Sequence, residues 1–303
     1  MKKMRLPLLI ALGVAVIGII LGSFLDWQIS SAIANPRSIV GLTISAIGPT
    51  IGFASVALMG GALLAFAIKG KYHIALKILF YVLAAACLGV SIFYPAGEYF
   101  GVNGFYWVAP KWVGYLIVVL PETGALIGGY FLFKDFQNKN MWIVCVILIA
   151  VLCFALLLVV PEMKGFIHRP RYRIVSNPDY DIAFHEWWQP CKNYQELKEL
   201  YHLESDDFKS YPSGHTAETS ILIVTITFLP LINKKFEKVQ LPLFLGACGL
   251  VLLVAFGRIL AAAHYLSDVS TGAFVMILLT FITNEVVMHI KALQLKEEEV
   301  KAE

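Results

Sequence analysis

Eight runs of predominantly apolar residues, each about twenty residues long and so matched to the hydrocarbon thickness of a bilayer, divide this chain. They fall at about 6–25, 48–68, 75–94, 112–133, 141–160, 213–232, 241–260 and 266–290. Inside hydrocarbon every backbone N–H and C=O must be paired within the protein, which leaves helices or closed barrels, and a barrel strand needs only about ten residues. The chain is therefore predicted to be all-α, a polytopic membrane helical bundle of about eight spans. Composition agrees: 58% of the 303 residues are hydrophobic, the mean hydropathy is +0.73, and charged residues make up 15%, against about a quarter in soluble domains.

The first run follows Lys2, Lys3 and Arg5. It is longer than a secretory signal core and is read as a span, although Ala32-Ile33-Ala34 offers a small-residue cleavage pattern. Alternate connections then differ sharply in Lys and Arg. Lys2, Lys3 and Arg5; Lys69, Lys71 and Lys77; Lys134 and Lys139; Lys234, Lys235 and Lys238; and the tail from Lys291 all fall on one side. The positive-inside rule makes that side cytoplasmic, with both termini. The extracytoplasmic side receives residues 26–47, an aromatic stretch from Phe93 to Tyr115 read as an interfacial belt, the segment Pro161–Tyr211, and the turn at Arg258. Residues 1–140 are read as about four N-terminal spans, 141–290 as a core with its extracytoplasmic loop at 161–211, and 291–303 as a charged cytoplasmic tail. That loop holds nine acidic and seven basic residues, with a helix-like piece near Tyr194–Glu204. It is expected to cap the bundle, with Phe184, Trp187 and Trp188 packing at the interface. The expected location is the plasma membrane.

The most informative polar interruption is Gly257-Arg258-Ile259-Leu260-Ala261-Ala262-Ala263-His264-Tyr265-Leu266-Ser267-Asp268. Arg or Asp at the centre of a membrane helix costs about 2.5–3.5 kcal/mol on insertion scales, so such residues mark interfaces or functional cavities. His264 and Asp268 are four apart, on one helical face, where the carboxylate is placed to hold one imidazole nitrogen and leave the other to react. Arg258 lies six residues before His264, so the helix is expected to break between them and bring both to one site. The structural alternative is an interfacial anchor at Arg258 and a structural pair at His264 and Asp268.

Two further stretches face the same side. Lys164-Gly165-Phe166-Ile167-His168-Arg169-Pro170-Arg171-Tyr172-Arg173 gathers cations where membrane proteins usually carry fewer, which a bound anion would explain. Tyr211-Pro212-Ser213-Gly214-His215-Thr216 opens an apolar run with a proline, a hydroxyl and a glycine, as at a helix start whose free N–H groups bind phosphate. His215 in that first turn is placed to protonate a leaving oxygen.

These residues resemble the type 2 phosphatidic acid phosphatase superfamily, which shares its helical bundle and phosphate chemistry with vanadium haloperoxidases and glucose-6-phosphatase. The family pattern is Lys, six residues, Arg-Pro; then Pro-Ser-Gly-His; then Ser-Arg, five residues, His, three residues, Asp. The chain presents Lys164, six residues, Arg171-Tyr172; Pro212-Ser213-Gly214-His215 complete; and Gly257-Arg258, five residues, His264, three residues, Asp268. Tyr172 replaces the proline and Gly257 the serine. The resemblance covers Pro161 to Thr283 and implies a phosphatase-like core in the C-terminal half.

The resemblance implies His264 as a nucleophile forming a phosphohistidine, Asp268 fixing its tautomer, and His215 as general acid and then base. Lys164, Arg171, Arg258, Ser213 and the Gly214 N–H would bind the phosphoryl oxygens. Glu218, His168 and Arg169 are candidates for supporting positions around them. No metal and no cofactor is expected, because three cations neutralise the phosphoryl group and no Asp or Glu cluster has magnesium-site spacing.

The expected activity is hydrolysis of a lipid phosphomonoester or diphosphate, such as phosphatidic acid, phosphatidylglycerol phosphate or a polyprenyl diphosphate, at the extracytoplasmic face. The alternatives are a phosphotransferase using the same site and a non-catalytic lipid transporter or binding protein. Beyond the bilayer and a lipid phosphate, no partner is expected, and nucleic acid is excluded by the lack of a basic cluster interleaved with aromatics. Cys87, Cys145, Cys153, Cys191 and Cys248 suggest no disulfide framework. His73, His185, His202 and His289 read as polar residues at the surface, whereas Glu122 after Pro121 and Glu285 in the last run are read as either functional or structural.

Overall fold

A computed structural model describes residues 2–100, 111–135, 140–232 and 234–290; the middle of the aromatic stretch and the charged tail lie outside these residues. The helices are α1 (Arg5–Ile33), α2 (Ile39–Lys69), α3 (Ile74–Phe100), α4 (Lys111–Phe133), α5 (Trp142–Cys153), α6 (Val160–Ile167), α7 (Tyr172–Val175), α8 (Tyr194–Leu200), α9 (Gly214–Thr219), α10 (Ile221–Ile232), α11 (Gln240–Leu260) and α12 (Leu266–His289). Among the described residues, seven helical stretches are long and apolar enough to cross a membrane and there is no strand, so the all-α membrane bundle stands.

The expected sixth run, 213–232, is not one of the seven. It is divided at Ser220 into α9 and α10. Thr219 Oγ1 donates to the His215 carbonyl at 2.7 Å and Ser220 Oγ to the Thr216 carbonyl at 2.7 Å. Such back-bonding by Ser and Thr bends helices. The fifth span also runs further than expected: after α5 the chain widens into one π-helical stretch, Phe154–Val159, and continues through α6. The extra turns carry Lys164 to the cavity described below.

Helix α2 forms the centre of the bundle, packing on α3, α4, α11 and α9, while α1 lies along α12. Burial follows from this. Phe53, Leu63, Phe66 and Ala62 of α2 are fully enclosed, whereas Leu6, Ile10, Ile17, Leu21 and Phe24 of α1 are exposed, as expected of a face turned to lipid. Small residues allow the close approach, since lipid tails supply no hydrophobic drive for helices to associate. A Cβ on Gly52 of α2 would collide with the Glu218 carbonyl of α9. At the opposite ends of α1 and α12, Arg5 and Glu285 form an ion pair at 3.0 Å, a structural role for Glu285. Glu122 is fully buried on α4.

The segment after α6 folds over one end of the bundle around its own small core of Ile174, Ile182, Cys191 and Phe208. It is fastened to α1 by Trp187 Nε1, which donates to Ser23 Oγ at 2.9 Å, and by Phe184, whose ring lies 5.7 Å from Trp27. The capping role expected for Phe184 and Trp187 is what the packing gives, while Trp188 is 47% exposed.

Because the α2–α9 contact has no room for a side chain, Gly52→Val is expected to destabilise the protein by about 1–3 kcal/mol. Thermal unfolding in detergent should show a lower Tm. Gly89→Ala, at a position with nothing within 4 Å of the added carbon, should leave Tm unchanged or slightly raised.

Candidate active site

Four chain segments meet at the capped end of the bundle. Lys164 comes from α6, Arg171 from the extended residue before α7, Gly214, His215 and Glu218 from α9, and Arg258 from the last turn of α11. The chain turns at Ala261–Tyr265, with Ala262 in the left-handed conformation (φ 55°), before α12 begins. That break puts His264 beside Arg258, as the six-residue spacing requires. All six, with His264, line one cavity of about 550 Å³.

His264 is 1% exposed. Its Nδ1 lies 2.6 Å from the Ser210 carbonyl oxygen; a carbonyl only accepts, so Nδ1 carries the proton and Nε2 the lone pair. Nε2 has no hydrogen-bond partner. Burial first, then the positive charges of Arg258, Arg171 and Lys164, hold the imidazole pKa well below its usual value, so the ring is neutral. A buried neutral imidazole with a free lone pair facing cations is arranged as a nucleophile toward an anion.

Asp268 was expected to hold His264 directly. Its Oδ2 lies 3.7 Å from Nδ1, outside hydrogen-bond range. The carboxylate instead caps α12 by accepting from the Tyr265 N–H at 2.9 Å, and it accepts from Ser210 Oγ at 2.5 Å and Arg169 Nη1 at 2.6 Å. Its link to His264 therefore runs through Ser210, whose hydroxyl touches Asp268 and whose carbonyl touches the imidazole.

Arg258 Nη1 is 3.3 Å from His215 Nε2. A guanidinium only donates, so His215 Nε2 accepts here. Arg171 is held by Asp206, through Nε to the carbonyl at 2.8 Å and Nη2 to the carboxylate at 2.7 Å. Burial opposes charge on Asp206, but Arg171, Lys164 and Arg173 outweigh it and keep its carboxyl below the ordinary range. Lys164 Nζ donates to the Lys209 carbonyl at 3.0 Å.

Two expected site residues sit elsewhere, and a third, Arg169, takes a supporting place. Ser213 is fully buried and caps α9, its Oγ accepting from Thr216 Oγ1 at 3.0 Å, so the helix start rather than the cavity takes its hydroxyl. His168 ends α6 in the left-handed conformation (φ 48°) and stacks on Tyr194 at 3.6 Å, away from the cavity. Arg169 lies behind Asp268, fully buried.

The model of the PAP2 superfamily matches residues 125–291, more than half of the chain. The chain belongs to the PAP2 superfamily. Neither the curated proteins nor the solved structures contain a match. As a PAP2 protein with several helices of bilayer length, it is an integral membrane protein of a phosphatase family.

The two departures from the PAP2 pattern both face N-terminal helices. At Gly257 an added Cβ would lie 2.7 Å from Ile44 Cγ2 of α2, so the serine of the pattern has no room here. Tyr172 packs on Trp27 of α1 at 5.3 Å and edge-on to Tyr265 at 6.2 Å. Three participants were missed in the sequence: Asp26, Ser210 and Asp206. Asp26 carried a signal, as a carboxylate at the end of an apolar run. Ser210 acts largely through its carbonyl, which no sequence pattern marks.

The buried neutral His264 also makes a stability prediction. Its folded pKa is depressed, so below the model-compound value of 6.5 the unfolded chain binds a proton that the fold refuses. This contribution is intact above that pH and is lost as pH falls toward the folded pKa. Tm in detergent is expected to fall between about pH 7.5 and pH 5, and His264→Asn is expected to flatten that fall.

Proposed function

We propose that the protein is a lipid phosphate phosphatase whose phosphohistidine forms on His264 Nε2. The observation that carries this is the unpartnered Nε2 of a buried neutral His264 in a cavity that also holds Lys164, Arg171, Arg258 and His215. Lys164, Arg171, Arg258 and the Gly214 N–H bind the phosphoryl oxygens, and such fixed donors aimed at developing charge are usually the largest catalytic term. A Cβ on Gly214 would point between Lys164 and Glu218, so glycine keeps that part of the cavity open.

Nε2 attacks phosphorus, the P–N bond forms, and the bond to the leaving oxygen breaks. The bound phosphate takes hydrogen bonds from Arg258, which frees His215 Nε2 to take up a proton from solvent and deliver it to the departing oxygen. Water then attacks phosphorus, His215 accepts its proton, the P–N bond breaks and phosphate leaves. Asp268 acts on the imidazole through Ser210. Because three cations balance the phosphoryl charge, activity is expected to persist in chelator.

The cavity is amphiphilic, and that favours a lipid. Besides the cations, the cavity is lined by Leu42 and Ala46 of α2, Tyr94 of α3, and Leu156 and Val160 on the fifth span. A phosphate with its chain along such a wall can stay partly in the bilayer. The charge asymmetry of the loops supports an extracytoplasmic site in the plasma membrane with cytoplasmic termini. Lys69, at the other end of α2, is 27 residues from Leu42, about 40 Å of helix.

The test is phosphate release by the purified protein in chelator, against dioleoyl phosphatidic acid, a polyprenyl diphosphate and p-nitrophenyl phosphate. His264→Ala is expected to lower kcat at least about a thousandfold. Release that is equal in wild type and variant sinks the hydrolase reading, and release that requires an added alcohol identifies a transferase. Ala46→Phe is expected to raise KM for the lipid about tenfold, worth about 1.4 kcal/mol, with little effect on p-nitrophenyl phosphate. An equal loss on both substrates removes the wall from the reading.

A further inference from the structure

Behind the cavity, Arg169 is shared by two carboxylates from opposite ends of the chain. Its Nη1 donates to Asp268 Oδ1 at 2.6 Å and to Ser267 Oγ at 2.8 Å, and its Nη2 to Asp26 Oδ2 at 2.9 Å. Its Nε donates to the His185 carbonyl at 2.8 Å, and its guanidinium carbon lies 4.1 Å from the Tyr265 ring centre. Asp26 also accepts from the Ser267 N–H at 2.9 Å and from Ser267 Oγ. Arg169, Asp26 and Asp268 are each at most 1% exposed.

The charge balance of this group is unusual. Replacing a buried carboxylate–guanidinium pair by apolar residues is often neutral or stabilising, so a third buried charge needs its own explanation. With Arg169 alone, Asp268 would belong to a neutral pair. With Asp26 added and both carboxylates ionised, two carboxylates share one guanidinium, and the cluster carries one negative charge. The side of it nearest the imidazole is Asp268 Oδ2, joined to His264 through Ser210. A negative charge there stabilises the imidazolium-like cation that forms when Nε2 bonds to phosphorus.

We propose that Asp26 of α1 is a positioning residue for the reaction, which by taking a share of Arg169 leaves the charge of Asp268 available to the phosphorylated His264. The inference rests on the reading of His264 as nucleophile. It makes α1 part of the active site rather than a separate membrane anchor. The packing agrees: α1 meets the start of α12 at Gly22, where an added Cβ would lie 2.5 Å from the Ser267 nitrogen and 2.8 Å from Asp26 Oδ1.

The experiment compares steady-state kinetics of detergent-purified wild type, His264→Ala, Asp26→Asn and the double variant Asp26→Asn/Arg169→Gln on dioleoyl phosphatidic acid. Activity in wild type that is lost in His264→Ala first establishes the nucleophile; without it the functional reading fails, and that failure is seen before Asp26 is tested. Asp26→Asn is expected to lower kcat about tenfold to a hundredfold with KM changed less than about threefold. The double variant removes one charge of each sign and restores the net charge beside His264, so its kcat is expected to recover at least about fivefold over Asp26→Asn.

A purely structural role predicts the reverse, because the double variant loses still more hydrogen bonds. A kcat for Asp26→Asn within about twofold of wild type, or a double variant no better than the single one, overturns the proposal. If Asp26→Asn does not stay folded, the double variant decides alone: kcat within about tenfold of wild type supports the proposal, and a larger loss overturns it.

Discussion

A membrane bundle can hold a buried charge only by surrounding it with partners, and the Arg169 guanidinium is where this chain meets that requirement. Removing one partner of a buried pair typically costs about 3–5 kcal/mol, because the other charge is left uncompensated. Arg169 binds Asp26, Asp268 and Ser267 side chains and the His185 carbonyl. These come from α1, α12 and the capping segment, so one side chain ties together the first helix, the last helix and the cap. The turn that presents His264 hangs from the same group, since Asp268 bonds to the Tyr265 N–H and to Ser210.

This explains why the N-terminal helices are integral to the site. Helix α1 supplies a carboxylate to the group behind His264, and α2 supplies Leu42, Ser45 and Ala46 to the cavity wall. The positions where the chain departs from the PAP2 pattern, Tyr172 and Gly257, are those where α1 and α2 press against the motif segments. A proline at 172 would lack the ring that meets Trp27, and a serine at 257 would strike Ile44. Both departures thus fit the packing of α1 and α2, and the Lys164, Arg171, Arg258 and His264 side chains line one cavity.

Much of this was legible in the sequence because hydrophobic length and motif spacing are local properties. Apolar runs marked the spans, and the offset of six from Arg258 to His264 required a turn, which the structure makes at Ala262. The division at Ser220 was hidden because the polar start of the 213–232 stretch, Ser213 to Ser220, does not by itself end a helix, and the effect of Thr219 and Ser220 depends on hydroxyls bonding back to carbonyls. The His264–Asp268 spacing suggested a direct contact, but position 268 falls at the third residue of α12, where capping the helix claims the carboxylate. Arg169 and Arg171, two residues apart in a run of cations, have opposite fates. One turns inward to buried acids and the other toward the cavity, and only the path of the chain from α6 to α7 distinguishes them.

The acids of the site divide in the same way, by exposure. Asp26 and Asp268 are enclosed with Arg169, and in a low-dielectric interior such pairs do not exchange partners readily. Asp206 holds Arg171 at 2.7 Å but its side chain is 47% exposed. Water competes for its charge, although Arg171 itself is buried, so the pair is half-exposed rather than enclosed like those of Arg169. A phosphoryl group carries more charge than one carboxylate and can take Arg171, Arg258 and Lys164 together. The Asp206 carboxylate can yield Arg171 to such a ligand and turn to water, having kept the guanidinium extended into the cavity. The buried acids lie behind the proposed nucleophile, the half-exposed acid holds a cation of the cavity, and the difference between them is solvent access.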